Sequence, residues 1–352
     1  MKKILTLVAF CYAADLLFAA DVVAVLPLTD KILMVQFDEG YAIFHKNGQK
    51  RTDESMFVDT LNVTKASLLT SYLIASTDDA AYATAKNPTD LSRKSKGTSF
   101  AHLCEGWGGA AVGCVNKSID HAKEHWVYLF LPNALQSGKT YTLKLGNLAK
   151  NKTEITFKFD ETVIRSEAIH VNNMGYVPSA AQKFGYISHW LGSKGGLDVA
   201  AYANKNFKII NQANKTVAFT GKIAFRKNKS NVETTQTDDT PNQNFASADV
   251  YECNFSAFTT PGEYVLSVDE MGCSFPFKIS ADAYREPYFW TMKGLYHNRS
   301  GIALLAKHTD WPRPAPHNPK LTPGFAQKLK YTSSRYFDWS NSDNDSRDKP
   351  TI

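Results

Sequence analysis

The stretch Ala248-Asp249-Val250-Tyr251-Glu252-Cys253-Asn254-Phe255-Ser256-Ala257-Phe258-Thr259-Thr260-Pro261-Gly262-Glu263-Tyr264-Val265-Leu266-Ser267-Val268 decides the fold class. Its two ends, residues 248–254 and 263–268, are short and rich in β-branched and aromatic residues, and Thr260-Pro261-Gly262 between them is a turn of the Pro-then-Gly kind. Outward from this pair, residues 168–171, 183–188, 206–210, 216–220 and 274–279 read as further strands. Residues 226–246 are charged and polar with almost no apolar side chains, and read as an exposed loop. The whole is a β-rich unit from about Ser166 to Ile279.

Residues 21 to about 161 have the same character. Segments 22–26, 32–37, 41–44, 67–74, 126–131, 140–145 and 154–159 are short and apolar, with turn formers such as Lys46-Asn47-Gly48 and Ser137-Gly138-Lys139 between them. Strands at this spacing predict a sandwich of two antiparallel sheets. Residues 78–116 are polar and Gly-rich, and read as a long loop or insertion, where binding residues tend to lie. After Ser280 the period changes: Tyr288, Phe289, Met292, Leu295 and Tyr296 recur at helical spacing, with Asp282 as a candidate cap and Pro287 in the first turns. Trp311-Pro312-Arg313-Pro314-Ala315-Pro316 then reads as rigid extended chain, followed by a polar acidic tail.

Composition limits the function classes. With 43% hydrophobic and 12% aromatic residues the chain of 352 residues is globular and long enough for two domains. The formal charge of +6 is dispersed, its densest run being Arg226-Lys227-Asn228-Lys229, so no nucleic-acid footprint is expected. Lys2 and Lys3, an apolar run over residues 4–14 and small residues at Ala13, Ala14, Ala19 and Ala20 read as an export signal, interrupted by Asp15. No segment reaches the length of about 20 apolar residues needed to span a membrane, so no transmembrane segment is expected. The chain is therefore expected to be secreted, periplasmic or displayed at the cell surface. Beyond Cys11, the cysteines form two local pairs, Cys104 with Cys114 and Cys253 with Cys273. Both are disulfide candidates of an oxidising compartment, with metal binding and free buried thiols as the alternatives.

The run Ile169-His170-Val171-Asn172-Asn173-Met174-Gly175-Tyr176-Val177-Pro178 resembles the opening of the immunoglobulin-like domain that precedes the catalytic domain in family-nine glycoside hydrolases, the endoglucanase and cellulase group. Three later runs extend the likeness: Cys253 to Tyr264, Ser274-Phe275-Pro276-Phe277-Lys278-Ile279, and Leu295-Tyr296-His297-Asn298-Arg299-Ser300-Gly301-Ile302-Ala303-Leu304, the last similar to the first helix of that family's (α/α)6 barrel. The first unit resembles bacterial immunoglobulin-like modules through Val25-Leu26-Pro27-Leu28-Thr29-Asp30 and residues 135–143. The resemblance implies a mainly β chain of two tandem immunoglobulin-like β-sandwiches followed by a short helical segment. Its divisions are a signal peptide at 1–20, an N-terminal bacterial immunoglobulin-like sandwich at 21–165, a cellulase-type immunoglobulin-like domain at 166–281 and an incomplete start of a catalytic domain at 282–352.

The same likeness implies inverting hydrolysis of β-1,4-glucan by an Asp base, from an Asp-Ala-Gly-Asp motif, and a distant Glu acid. That chemistry needs two carboxyls about 6.5–9.5 Å apart with water between them. Neither motif occurs in the sequence, and residues 282–352 hold one clear helix where twelve of roughly 10–14 residues are needed. The expectation is thus an accessory region without catalytic residues, cofactor or metal, linked to its polysaccharide through a catalytic domain that it lacks. The alternative is a non-catalytic carbohydrate-binding or adhesion module. Among lesser motifs, His121-Ala122-Lys123-Glu124-His125 matches an inverted zinc-protease pattern but runs straight into the strand Trp126-Val127-Tyr128-Leu129-Phe130-Leu131. Trp107, Trp190 and Tyr202 are candidate sugar-stacking aromatics against the commoner core role. Asn62-Val63-Thr64 is a glycan acceptor pattern, Arg299 and Asp310 flank the helix, and Asp338, Asp343, Asp345 and Asp348 lack the Gly and Glu of a calcium loop.

Overall fold

In a computed structural model that describes residues 19–42, 56–100, 106–107, 114–115, 121–232, 244–299 and 302–315, the alternating apolar residues form a succession of antiparallel strands. In chain order these are β1 (Asp21–Thr29), β2 (Ile32–Asp38), β3 (Gly40–Ala42), β4 (Met56–Val58), β5 (Leu73–Ala75), β6 (Asp90–Phe100), β7 (Gly106–Trp107), β8 (Cys114–Val115), β9 (His121–Phe130), β10 (Thr140–Lys144) and β11 (Glu154–Lys158), with a short helix α1 (Val63–Ala66) before β5. Among the described residues, one sheet runs β1-β2-β9-β6 and the other β11-β10-β5, while β3 pairs β4 and β7 pairs β8. Leu33, Val35, Phe37, Val127 and Leu129 of the first sheet meet Tyr72, Ile74, Tyr141 and Leu143 in one core, which makes the pair of sheets a sandwich.

A second sandwich follows: β12 (Ile169–His170), β13 (Phe184–Ile187), β14 (Asn206–Asn211), β15 (Val217–Lys227), β16 (Val250–Asn254), β17 (Gly262–Val268), β18 (Gly272–Cys273) and β19 (Phe277–Ile279). Strand β15 belongs to both of its sheets, pairing β14 through Val217–Lys222 and β16 through Ile223–Lys227. The strand therefore continues well past residue 220, where the sequence pattern stops, because Ile223 carries the core face onward while its neighbours are exposed. Two further expectations fail locally. The polar stretch 78–116 contains β6, an 11-residue edge strand, and of the expected strand 67–74 only Leu73 and Ile74 lie in a strand, β5, while Leu69–Ser71 form a helical turn. There Asn62 caps α1 by accepting from the Lys65 N–H at 2.9 Å, and Ser67 Oγ donates back to the Val63 carbonyl at 2.8 Å.

Both sandwiches lie in one compact unit that ends at Ala283, and a second unit begins at Tyr284. Within the first unit the linker threads between the sandwiches like an added strand. Cys273 N donates to Ile164 O at 2.9 Å, Ser166 N to Cys273 O at 2.8 Å, and Ser166 Oγ to Leu28 O at 2.9 Å. Asp30 N reaches Glu270 O at 2.6 Å, and Ser267 Oγ reaches Glu161 O at 2.8 Å. Two glycines are needed for this closeness. A Cβ on Gly272, at φ +134°, would stand 2.8 Å from Ile164 O, and one on Gly192, at φ +74°, would stand 2.3 Å from Arg93 O. Gly192→Ala is accordingly expected to destabilise the protein by about 2 kcal/mol or more. It should also split the single calorimetric transition expected of the wild type into two, one for each sandwich. A variant melting as one transition at the wild-type temperature would show that the contact is not needed.

Candidate functional site

The central strands of the β1-β2-β9-β6 sheet, β2 over Ile32–Val35 and β9 over Val127–Leu129, are buried on both faces. Ile32, Met34 and Tyr128 point away from their own sandwich and, with Leu28, join the core cluster of the second, beside Ile187, Leu191 and Tyr202. Polar groups in this junction are paired. Tyr128 Oη lies 2.9 Å from His189 Nε2 with the rings edge to face, Ser92 Oγ donates to Leu191 O, and Lys94 Nζ sits 5.2 Å from the Trp126 ring and 5.6 Å from that of Tyr128. Burial, reinforced by the Lys94 charge and by His170, pushes the His189 imidazole down to about 3. Burial also lowers the Lys94 ammonium, against the pull of Glu167. A neutral His189 therefore accepts from, or donates to, the Tyr128 hydroxyl without placing a charge in the junction.

That depression makes the junction acid-sensitive. The folded state binds the His189 proton only near pH 3, whereas the unfolded chain binds it near 6.5. Its stabilising contribution is complete above pH 6.5 and is lost as pH falls towards 3, by at most about 1.4 kcal/mol per pH unit. His189→Gln, which cannot titrate, is expected to be less stable at pH 7.5 and to lose less between pH 7.5 and 5 than the wild type. Urea midpoints at the two pH values give the comparison, and parallel losses in the two proteins would refute it.

The cysteine expectation is corrected. Cys253 and Cys273 are both buried free thiols. Cys253 points into the core of the second sandwich from β16, whereas Cys273 pairs with Ser267 and packs with Ile210 and Val265 on the opposite, outer side of the facing sheet. A sheet thus separates the two sulfurs. Burial raises both thiols, Cys273 to about 12, so neither is poised to react. Cys104 lies outside the described residues, and of Cys114 only the backbone, in β8, lies within them.

Residues of the zinc-like motif lie along β9, so His121 and His125, four residues apart on extended chain, are separated by roughly 13 Å, too far to share a metal ion. His125 is instead buried against Glu39, its Nε2 2.9 Å from Oε1. Tyr202 is a core residue covered by Lys205, with 6% of its surface exposed, and so is no sugar platform. Trp190 is 44% exposed, and the Trp107 side chain lies outside the described residues. Asn62 uses its carboxamide oxygen as the cap of α1. Asp338, Asp343, Asp345 and Asp348 lie outside the described residues.

The second unit contains α2 (Arg285–His297). Asp282 does not cap it: the N-cap residue is Tyr284, which makes no side-chain capping bond. The other end is held by Arg313, which donates to the His297 and Arg299 carbonyls at 3.0 and 2.9 Å, while Thr309 Oγ1 lies 2.8 Å from His297 Nε2. Asp310 is exposed. No residue of α2 is buried, and Tyr288, Phe289, Trp290, Met292 and Leu295 are 45–67% exposed. Phe289, Met292, Lys293, Tyr296 and His308 line a groove of about 380 Å³. Among the described residues no helix is long and apolar enough to cross a membrane.

Residues 165–272 match the family described as the cellulase N-terminal ig-like domain. The second sandwich is of the cellulase N-terminal Ig-like kind. The likeness to the immunoglobulin-like domain of cellulases read from the sequence therefore holds over this part of the chain. Among solved structures, a metagenome-derived glycoside hydrolase family 9 endoglucanase is similar at 22% identity and TM-score 0.31, over 42% of this chain and 24% of that one. A Bacteroides ovatus GH9 protein is similar at 21% identity and TM-score 0.29, over 42% of this chain and 22% of that one. The chain thus spans about a quarter of the length of these proteins, and likeness at this level adds no argument to the family match. No curated protein matches the sequence.

Proposed function

We propose that this chain is the N-terminal accessory region of an exported glycoside hydrolase acting on β-1,4-glucan type polysaccharides. Residues 21–165 and 166–281 serve as paired sandwiches that stabilise a catalytic domain entered at residue 282. One observation carries the reading: a domain of the cellulase N-terminal Ig-like kind runs directly into a helix whose aromatic and aliphatic side chains are uncovered. Such a helix is built to be covered, since apolar burial and not propensity holds most protein helices together. This reading assigns the acid and base of inverting hydrolysis to that catalytic domain.

Two measurements test this. Purified chain should release no reducing sugar from carboxymethyl cellulose above the buffer rate, and clear turnover would overturn the accessory role. A version ending at Ile279 should bind less of an apolar-surface dye, and stay soluble at higher concentration, than the chain with α2. Equal dye binding would mean that α2 is not an unfilled interface.

A second reading, a carbohydrate-binding module, is favoured by the exposed indole of Trp190 on the second sandwich. In that case the protein is retained on insoluble cellulose, and Trp190→Ala weakens retention severalfold while leaving the melting temperature in place. Wild-type protein that washes through with the buffer would remove it.

A further inference from the structure

At the open end of the first sandwich, three side chains far apart in sequence make an unbroken hydrogen-bonded chain. Ser95 on β6 and His125 on β9 are cross-strand partners, and Ser95 Oγ lies 2.7 Å from His125 Nδ1. On the other side of the ring, His125 Nε2 lies 2.9 Å from Glu39 Oε1. Glu39 follows β2 and is fixed by two backbone donors, Leu61 N at 3.0 Å to Oε1 and Lys123 N at 3.1 Å to Oε2. Glu39 and His125 are 3% and 2% exposed, whereas Ser95 faces solvent on an edge strand.

Donor and acceptor chemistry permits one proton arrangement here. Both Glu39 carboxyl oxygens already accept from backbone N–H groups, so the ring donates from Nε2 to Oε1 and Nδ1 keeps its lone pair. The Ser95 hydroxyl then donates to Nδ1. Arg93, which only donates, gives a hydrogen bond from Nη1 to Ser95 Oγ and stands 3.5 Å from Nδ1. Burial lowers the His125 imidazole against the opposing pull of Glu39, with Arg93 and Lys123 adding to the lowering, so the ring is a free base at neutral pH.

We propose that Ser95 is an activated nucleophile for acyl esters, with His125 as its base and Glu39 as the positioning residue. Ser95 Oγ attacks the ester carbonyl carbon while its proton passes to His125 Nδ1, and the carbonyl π pair moves to oxygen, where the Arg93 guanidinium faces the charge. Collapse of this adduct breaks the bond to the alcohol oxygen, which leaves with the His125 proton. Water then attacks the acyl-serine, gives a proton to His125 and releases the acid as Ser95 regains its hydrogen. Compared with the usual serine hydrolase, the two ring nitrogens exchange partners, which alters no proton count. A purely structural role needs only the buried Glu39 half, which ties Leu61 to Lys123. The solvent-facing Ser95 hydroxyl adds no burial, and with the half-buried Arg93 beside it, it is the part a reaction with an external ester requires. The proposal does not depend on the polysaccharide reading.

The test uses the full chain, a fluorophosphonate probe and p-nitrophenyl acetate. Wild-type protein should be phosphonylated on Ser95, located by peptide mass spectrometry, and should hydrolyse the ester faster than an equal concentration of heat-unfolded chain. Ser95→Ala should lose the label and the excess hydrolysis while keeping the wild-type urea midpoint. His125→Gln should slow labelling by about 100-fold or more. If His125→Gln fails to fold, the wild type and Ser95→Ala decide the matter alone. Folded wild-type protein that takes no label at Ser95, or Ser95→Ala that hydrolyses at the wild-type rate, would overturn the proposal.

Discussion

In the first sandwich the two central strands of one sheet, β2 and β9, have apolar cores on both faces. Strand β2 sends Leu33, Val35 and Phe37 into one core and Ile32 and Met34 into the other. Fully burying a side chain of this size contributes about 1.5–3 kcal/mol, so Leu28, Ile32, Met34 and Tyr128 together bring roughly 10 kcal/mol of gross stabilisation to the junction. The hydrogen bonds across it, from Ser92 to Leu191 and between Tyr128 and His189, are worth about 1 kcal/mol net apiece. Apolar burial therefore decides that the two sandwiches stay together, and the polar pairs decide in which register.

Desolvation then sets the chemistry of several groups that the junction and the cores enclose. It keeps His189 neutral, lowers Lys94 and raises the thiols of Cys253 and Cys273 out of reactive range. The two thiols show how an argument from spacing can fail on a pleated sheet. Twenty residues of chain suffice to bridge them, yet adjacent positions of a strand face opposite ways, and Cys273 emerges on the outer side of a sheet whose inner side faces Cys253. Their free state consequently says nothing about the redox conditions around the protein.

Much of the β architecture was legible because period-two alternation survives in β10, β16 and the start of β14, and the change of period after Ser280 marked α2. What escaped was whatever depends on a partner distant in sequence. Strand β6 reads Asp-Leu-Ser-Arg-Lys-Ser-Lys, too polar to look like a strand, because one face covers the sandwich end and the other meets the second sandwich. The double burial of β2 and β9 did leave a trace, the unbroken apolar runs Ile32-Leu33-Met34-Val35 and Trp126-Val127-Tyr128-Leu129-Phe130-Leu131. His125 drew notice through a zinc-like spacing that extended chain cannot use. Its actual partners, Glu39 and Ser95, lie 86 and 30 residues away and meet only through strand pairing.

Helix α2 stands under a different constraint from the sandwiches. Its 13 residues are at the lower edge of what survives alone in water, it has no side-chain N-cap bond, and it carries no buried residue. Arg313 closes one end by satisfying two terminal carbonyls, which contributes about 1–3 kcal/mol at most and cannot replace a packed face. Tyr288, Phe289, Trp290, Met292 and Leu295 surround the helix with apolar surface where a solvent-facing helix would carry charge. A helix hydrophobic on more than one side is the pattern of an element covered by several neighbours, and a bundle or barrel of helices supplies such neighbours where a sandwich edge does not.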